Sequence, residues 1–262
     1  MKLTQCFLTE NDCYWAGRTI VPRGIMVHSI GVAQPDAQVL VRSWNRSGVT
    51  ACVHAFVDEH GVYQTLPWDH RGWHAGVGVT GQSANNTHIS FECCEPAGHT
   101  YQGGAMIGYN VEKNQAFFEA VYENAAQLCA WLCRRYGFDP MEDGVLICHS
   151  EGYARGVASN HADVMHWWPK HGKNMDTFRA RVRELMEEEK TMTQERFDIM
   201  MENYLARRGE LLPGDWSQEA RQWAEENGLI RGDKTGEKRY KSFCTREELA
   251  MILYRMADKL SA

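Results

Sequence analysis

The sequence predicts an α/β protein: a mixed central β-sheet flanked by helices, with a small all-α module at the C-terminal end. Three observations carry that reading. Short runs of β-branched and aromatic residues alternate with stretches whose apolar positions recur at helical spacing, the pattern of a layered α/β fold. Composition shifts near Lys190, and the residues beyond it read as helical. The acidic excess behind the net charge of −6 lies entirely before that point. We therefore expect two parts, residues 1–189 and 190–262. Pattern alone does not give the strand order.

Gly24-Ile25-Met26-Val27-His28-Ser29-Ile30 reads as a strand with an imidazole near its end. Pro35 then opens a helix through Trp44, with Val39, Leu40 and Val41 as apolar cover. Residues 51–57 form a second strand. The turn signal Glu59-His60-Gly61 returns it as a hairpin through residues 62–66. Residues 67–76 form a loop rich in aromatics and His. Residues 87–94 form a further strand that carries Glu92 among β-formers. Residues 95–110 hold four glycines without periodicity and read as a long loop. From Val111 to Tyr136, Phe117, Val121, Leu128 and Leu132 recur at helical spacing, and Gly137 and Pro140 stop the helix. Gly144-Val145-Leu146-Ile147 reads as a buried strand that hands over to a polar loop. Residues 176–190 form an amphipathic helix through Phe178, Val182, Leu185 and Met186.

In the tail, residues 193–208 read as a helix with Phe197, Met201, Tyr204 and Leu205 on one face. Pro213-Gly214 breaks it. Ser217 caps a short helix through Trp223 that ends at Asn227-Gly228. Thr245 and Glu248 form a capping box that opens a last helix carrying Leu249, Ile252, Leu253 and Met256. A module of this size is a marginal independent folder.

Apolar content of 44% and charged content of 24% are those of an ordinary globular chain. No segment is apolar for long enough to span a bilayer, so membrane insertion is not expected. There is no basic stripe, which argues against nucleic acid as a partner. The N-terminus lacks the order of a signal peptide. The expectation is synthesis in the cytoplasm and action after release. The cysteine count of nine is odd, and most sit beside hydrophobes, so buried free thiols are expected rather than a disulfide framework.

The chemistry concentrates in Cys148-His149-Ser150-Glu151-Gly152 and the following Ser159-Asn160-His161-Ala162-Asp163-Val164-Met165-His166-Trp167-Trp168. Neutral imidazoles and a carboxylate are both good zinc ligands. Surface polar residues beside an aromatic anchor would give the same pattern. Three strand ends carry candidate groups: His28, Glu92 and His149. Ends of strands in one sheet can converge on one edge. Two His and one carboxylate, with a fourth position left for water, is a catalytic zinc pattern. A separate carboxylate then handles protons.

The pieces Ile25-Met26-Val27-His28, Val53-His54-Ala55-Phe56, Gly72-Trp73-His74-Ala75-Gly76, Ile89-Ser90-Phe91-Glu92 and Cys148-His149-Ser150-Glu151-Gly152 occur in a familiar order. The chain up to about Leu185 resembles the zinc-dependent N-acetylmuramoyl-L-alanine amidases of phage or prophage endolysin type, which share their fold with the peptidoglycan recognition proteins. The resemblance implies that Zn²⁺ sits on His28, His149 and Asp163, with His161 or His166 as alternative third ligands. It implies catalytic roles for Glu92 and His161. His54, His74 and Trp73 are the candidates for substrate contact, with a packed strand position as the other reading of His54 and a place in the core as the other reading of Trp73, Trp167 and Trp168. Relatives with a catalytic Lys carry it where His161 stands. Many carry a Tyr where Val53 stands. The implied activity is bacteriolytic hydrolysis of peptidoglycan between N-acetylmuramic acid and L-alanine. The alternative is a non-lytic peptidoglycan-binding protein on the same fold. The tail, from Trp216 through Arg255, resembles a single S-layer-homology repeat. That implies binding to a secondary cell-wall polymer or formation of a homo-oligomer.

Overall fold

Residues 1–190, 194–234 and 236–260 are described by the computed structural model. The chain divides near Lys190 into two compact units. In chain order the first holds β1 (Leu3–Gln5), α1 (Asp12–Ala16), β2 (Gly24–Ser29), α2 (Ala37–Trp44), β3 (Ala55–Asp58), β4 (Gly61–Gln64) and β5 (His88–Cys93). It continues with β6 (Thr100–Gln102), β7 (Ala105–Ile107), α3 (Val111–Tyr136), β8 (Leu146–Cys148), α4 (His149–Ala154), α5 (Val164–Trp167) and α6 (Met175–Lys190).

Six strands form one mixed sheet in the order β1-β4-β3-β5-β2-β8. The β3–β4 hairpin is antiparallel, whereas β3, β5, β2 and β8 run parallel, so their carboxyl ends share one edge. Side chains alternate across a strand. Ile25, Val27, Ile89, Phe91, Ala55 and Val57 therefore face the main core, which α3, α6 and the buried pair Trp167 and Trp168 complete. Trp167 and Trp168 thus serve packing. Met26 faces the other side, with Ala75, Ile147 and Ala158. His28, two residues further along the same strand, lies on that second face at the sheet's edge.

Most expected elements are present, with α3 spanning the predicted residues. Three regions differ. The glycine-rich stretch after Glu95 is not all loop, because Gly103 and Gly104 both adopt positive φ and close the short β6–β7 hairpin. The polar stretch after β8 opens as a helix and not as a loop: His149 is the first residue of α4, with the Glu151 carboxylate accepting from the backbone N–H of Cys148 at 3.2 Å. β1 and α1 have no counterpart in the pattern reading; Asn11 caps α1 by accepting from Cys13 N at 2.9 Å. The described cysteines are free, and most are buried.

The second unit holds α7 (Gln194–Gly209), α8 (Gln218–Glu226) and α9 (Arg246–Leu260). Thr193, the expected start of its first helix, lies outside the described residues. The capping box forms as expected: Thr245 N donates to Glu248 Oε2 at 2.7 Å, and Glu248 N donates to Thr245 Oγ1 at 3.2 Å. Arg255 donates to Leu229 O at 2.8 Å and ties α9 to the end of α8. Leu229 is the one buried apolar side chain of this unit among the described residues.

Candidate active site

Parallel pairing sets the site. His28 and Glu92 are direct register partners on β2 and β5. Val27 pairs with Cys148, so the next residue on each chain brings His28 beside His149. Ligand sites in such sheets lie at the carboxyl edge of the strands. Asp163 comes from the segment before α5. Its backbone is held at φ 48°, a left-handed conformation that is costly for a residue with a Cβ. What that strain accompanies is visible: Asp163 Oδ2 lies 2.7 Å from His28 Nδ1 and 2.9 Å from His149 Nδ1.

The two Nδ1 atoms are 3.1 Å apart, and the three donor atoms all lie within 4.8 Å of one another. Two imidazole nitrogens and a carboxylate oxygen converging this closely fit a divalent metal of borderline softness. His161 and His166 are outside this group. His161 is exposed, with its ring 4.8 Å from that of His149 and its Nδ1 3.1 Å from Ser159 Oγ. His166 faces Tyr101 instead.

Electrostatics separates the acids. Burial pushes the Glu92 carboxyl well above its ordinary pKa, and the charges of Asp163 and Glu95 push the same way. Its Oε2 is buried with no hydrogen-bond partner. Burial also acts to raise Asp163, but bonds to His149 and His28 overcome it and hold that carboxyl well below the usual range. Burial outweighs the Asp163 contact at His28 and lowers its pKa. These surroundings favour the anion of Asp163 and the protonated form of Glu92.

A cavity of about 810 Å³ brings these groups together, with Trp73, His74, Glu92, His161 and His166 on its wall. His54, expected to contact substrate, does not line it. His54 lies level with Ser90, one side-chain layer below the edge that carries Glu92. It is fully buried and both ring nitrogens are in use, one 2.8 Å from His70 O and the other 3.2 Å from Ser90 Oγ. Burial pushes its pKa down to about 4. His54 is a packed core residue.

The sequence reading missed Glu95, His99 and Tyr101. The buried Glu95 carboxylate accepts from Tyr101 OH at 2.7 Å and lies 3.0 Å from His99 Nε2. His166 Nε2 is 2.6 Å from the Tyr101 oxygen. This network ties the β6–β7 hairpin to the cavity wall and accounts for His166. The signal for it was an acid, a His and a Tyr inside a stretch dominated by glycine.

The profile of the N-acetylmuramoyl-L-alanine amidase family matches residues 17–171, more than half of the chain. The chain belongs to this amidase family. Over 83 residues it is 34% identical to the N-acetylmuramoyl-L-alanine amidase CwlH of Bacillus subtilis, covering 31% of this chain and 33% of that protein. Over 99 residues it is 35% identical to XlyA of the same organism, covering 37% and 33%. The chain thus matches about a third of the length of these curated amidases. Among solved structures, the catalytic domain of XlyA superposes with a TM-score of 0.51 at 22% identity, covering 70% of this chain and 99% of that domain. The Staphylococcus aureus hydrolase AmiA in complex with its ligand gives 0.51 at 20%, covering 71% and 83%. These two likenesses establish that the amidase fold is shared.

Proposed function

We propose that this chain is a zinc-dependent N-acetylmuramoyl-L-alanine amidase that hydrolyses the amide between N-acetylmuramic acid and L-alanine in peptidoglycan. One observation carries the reading: His28, His149 and Asp163 converge at the sheet edge beside a buried carboxylate oxygen of Glu92 that has no partner. His28 Nδ1, His149 Nδ1 and Asp163 Oδ2 would hold the metal. A zinc ion bound there supplies Lewis-acid activation of water and of the scissile carbonyl.

The protein's own groups do the rest. Glu92 takes a proton from the attacking water and returns it to the departing amine of L-alanine. Its raised proton affinity suits a base that must also become an acid. His161 donates a hydrogen bond to the oxyanion of the tetrahedral intermediate. Trp73 and His74 line the cavity that receives the substrate. The likeness of the tail to an S-layer-homology repeat supports retention on a secondary cell-wall polymer, with self-association as its other role. The enzyme would act as an endolysin, lysing the wall after leaving the cytoplasm.

The test uses the full chain on purified cell walls, with chelator and with zinc restored, and assays new L-alanine amino termini. Release that chelator stops and zinc restores is expected. Release indifferent to chelator would remove the metal from the mechanism. Wall binding without release, even with zinc, would make the chain a recognition module.

A further inference from the structure

We propose that His74 is a positioning residue: it fixes the tautomer in which His28 turns a lone pair toward the metal. This rests on the zinc reading above. His28 has two ring nitrogens with different neighbours. Nδ1 faces Asp163 and His149, and Nε2 lies 3.0 Å from His74 Nδ1. To ligate through Nδ1, a neutral His28 must carry its proton on Nε2. That proton needs an acceptor, and the neighbour of Nε2 is His74 Nδ1. Groups behind a ligating histidine set its tautomer and its basicity in this way.

The rest of the region is built to hold His74 in that role. Its backbone N–H and that of Ala75 both donate to Asn85 Oδ1, at 2.9 and 2.8 Å. Gly72 leaves room for the ring: a Cβ there would meet His74 Cδ2 at 3.0 Å. If Nδ1 accepts, the proton of His74 sits on Nε2. That atom is buried without a partner. An unpaired buried N–H is a desolvation cost that packing alone gives no reason to keep. Accepting from His28 supplies a reason, and it differs from the substrate contact expected from sequence.

Asn and Leu have nearly the same shape, and the Asn side-chain oxygen can stand near the Nδ1 position. The experiment compares H74N with H74L in the full chain and measures zinc affinity by competition with a chromophoric chelator. The expected result is a loss of about 10–100-fold in affinity for H74L and near wild-type affinity for H74N. Equal affinities in the two variants would overturn the proposal. Nitrogen-15 spectra of the zinc-loaded wild type give a second measurement that needs no variant. The His28 proton should be on Nε2, and a proton on Nδ1 would overturn the proposal. If wild type itself binds no zinc, the proposed function fails instead, so the two failures are distinguishable.

Discussion

The two units of the chain solve the burial of apolar residues in opposite ways. In the first, Trp167, Trp168, Phe56, Phe91, Phe118 and Phe178 are fully buried, and the sheet between α2 and α3 is sealed on both faces. In the second, Trp216 is 89% exposed and Leu212 87%. Hydrophobic burial is the main term opposing chain entropy. The first unit therefore fixes its own geometry closely enough to hold the donor atoms of His28, His149 and Asp163 together. The helices of the second are joined by polar contacts such as Arg255 to Leu229 O, and among its described residues one apolar side chain, Leu229, is buried. The contrast locates a closed core in one unit and exposed apolar side chains in the other.

The largest expected effect tests the first unit. Asp163→Ala removes the oxygen shared by His28 and His149. Zinc affinity should fall by more than the roughly 10–100-fold typical of groups behind a ligand. Trp216→Ala, in the second unit, should leave zinc affinity and the cleavage of a soluble muropeptide unchanged. Comparable losses in both variants would erase the distinction.

Core packing gives the next effect. Phe178→Ala should destabilise the first unit by about 3–5 kcal/mol. Leu253→Ala, at a side chain 56% exposed, should change stability by no more than about 0.5 kcal/mol. Denaturant unfolding followed for each unit checks both. A cost of several kcal/mol at Leu253 would mean that α9 is covered in solution.

Much of the first unit was legible because its signals are local. Runs of β-forming residues exposed β2 and β5, and with them His28 and Glu92 near strand ends. Helical spacing between Asn110 and Gly137 exposed α3. What stayed hidden depends on contacts between distant residues. For His54 the sequence leaves a packed strand position beside a place in the cleft, and the register with Ser90 decides for the packed one. His74 meets His28 across 46 residues of chain, and His166 meets Glu95 across 71. The positive φ at Asp163, which accompanies its contacts with His28 and His149, carries no mark in the sequence.

Glu92 offers a smaller effect that sharpens the electrostatic half of the comparison. A carboxyl whose folded pKa is raised is favoured when protonated, so metal-free protein should be most stable below the ordinary glutamate range. Stability should fall as pH rises from there toward the folded pKa, and then level off. Glu92→Gln removes the ionisation but keeps the shape. Above neutral pH it should stabilise the metal-free protein by about 1–2 kcal/mol, while abolishing turnover. Thermal unfolding against pH, for wild type and variant with chelator present, checks this. A wild-type profile parallel to that of the variant would show that Glu92 ionises without penalty.

The smallest effect belongs to the tail. Thr245→Ala removes the acceptor for Glu248 N and half of the capping box at the start of α9. Loss of such a cap costs about 1 kcal/mol. In the first unit a change of that size would be a small part of a large core. In the second, whose described residues bury one apolar side chain, it is a large share of what holds α9. Amide exchange in α9 should accelerate about fivefold for each kcal/mol lost, with exchange in β2 and β5 unchanged. Unchanged exchange in α9 would mean that its order comes from contacts other than its own cap. Acceleration that spread into β2 and β5 would mean that the two units unfold as one.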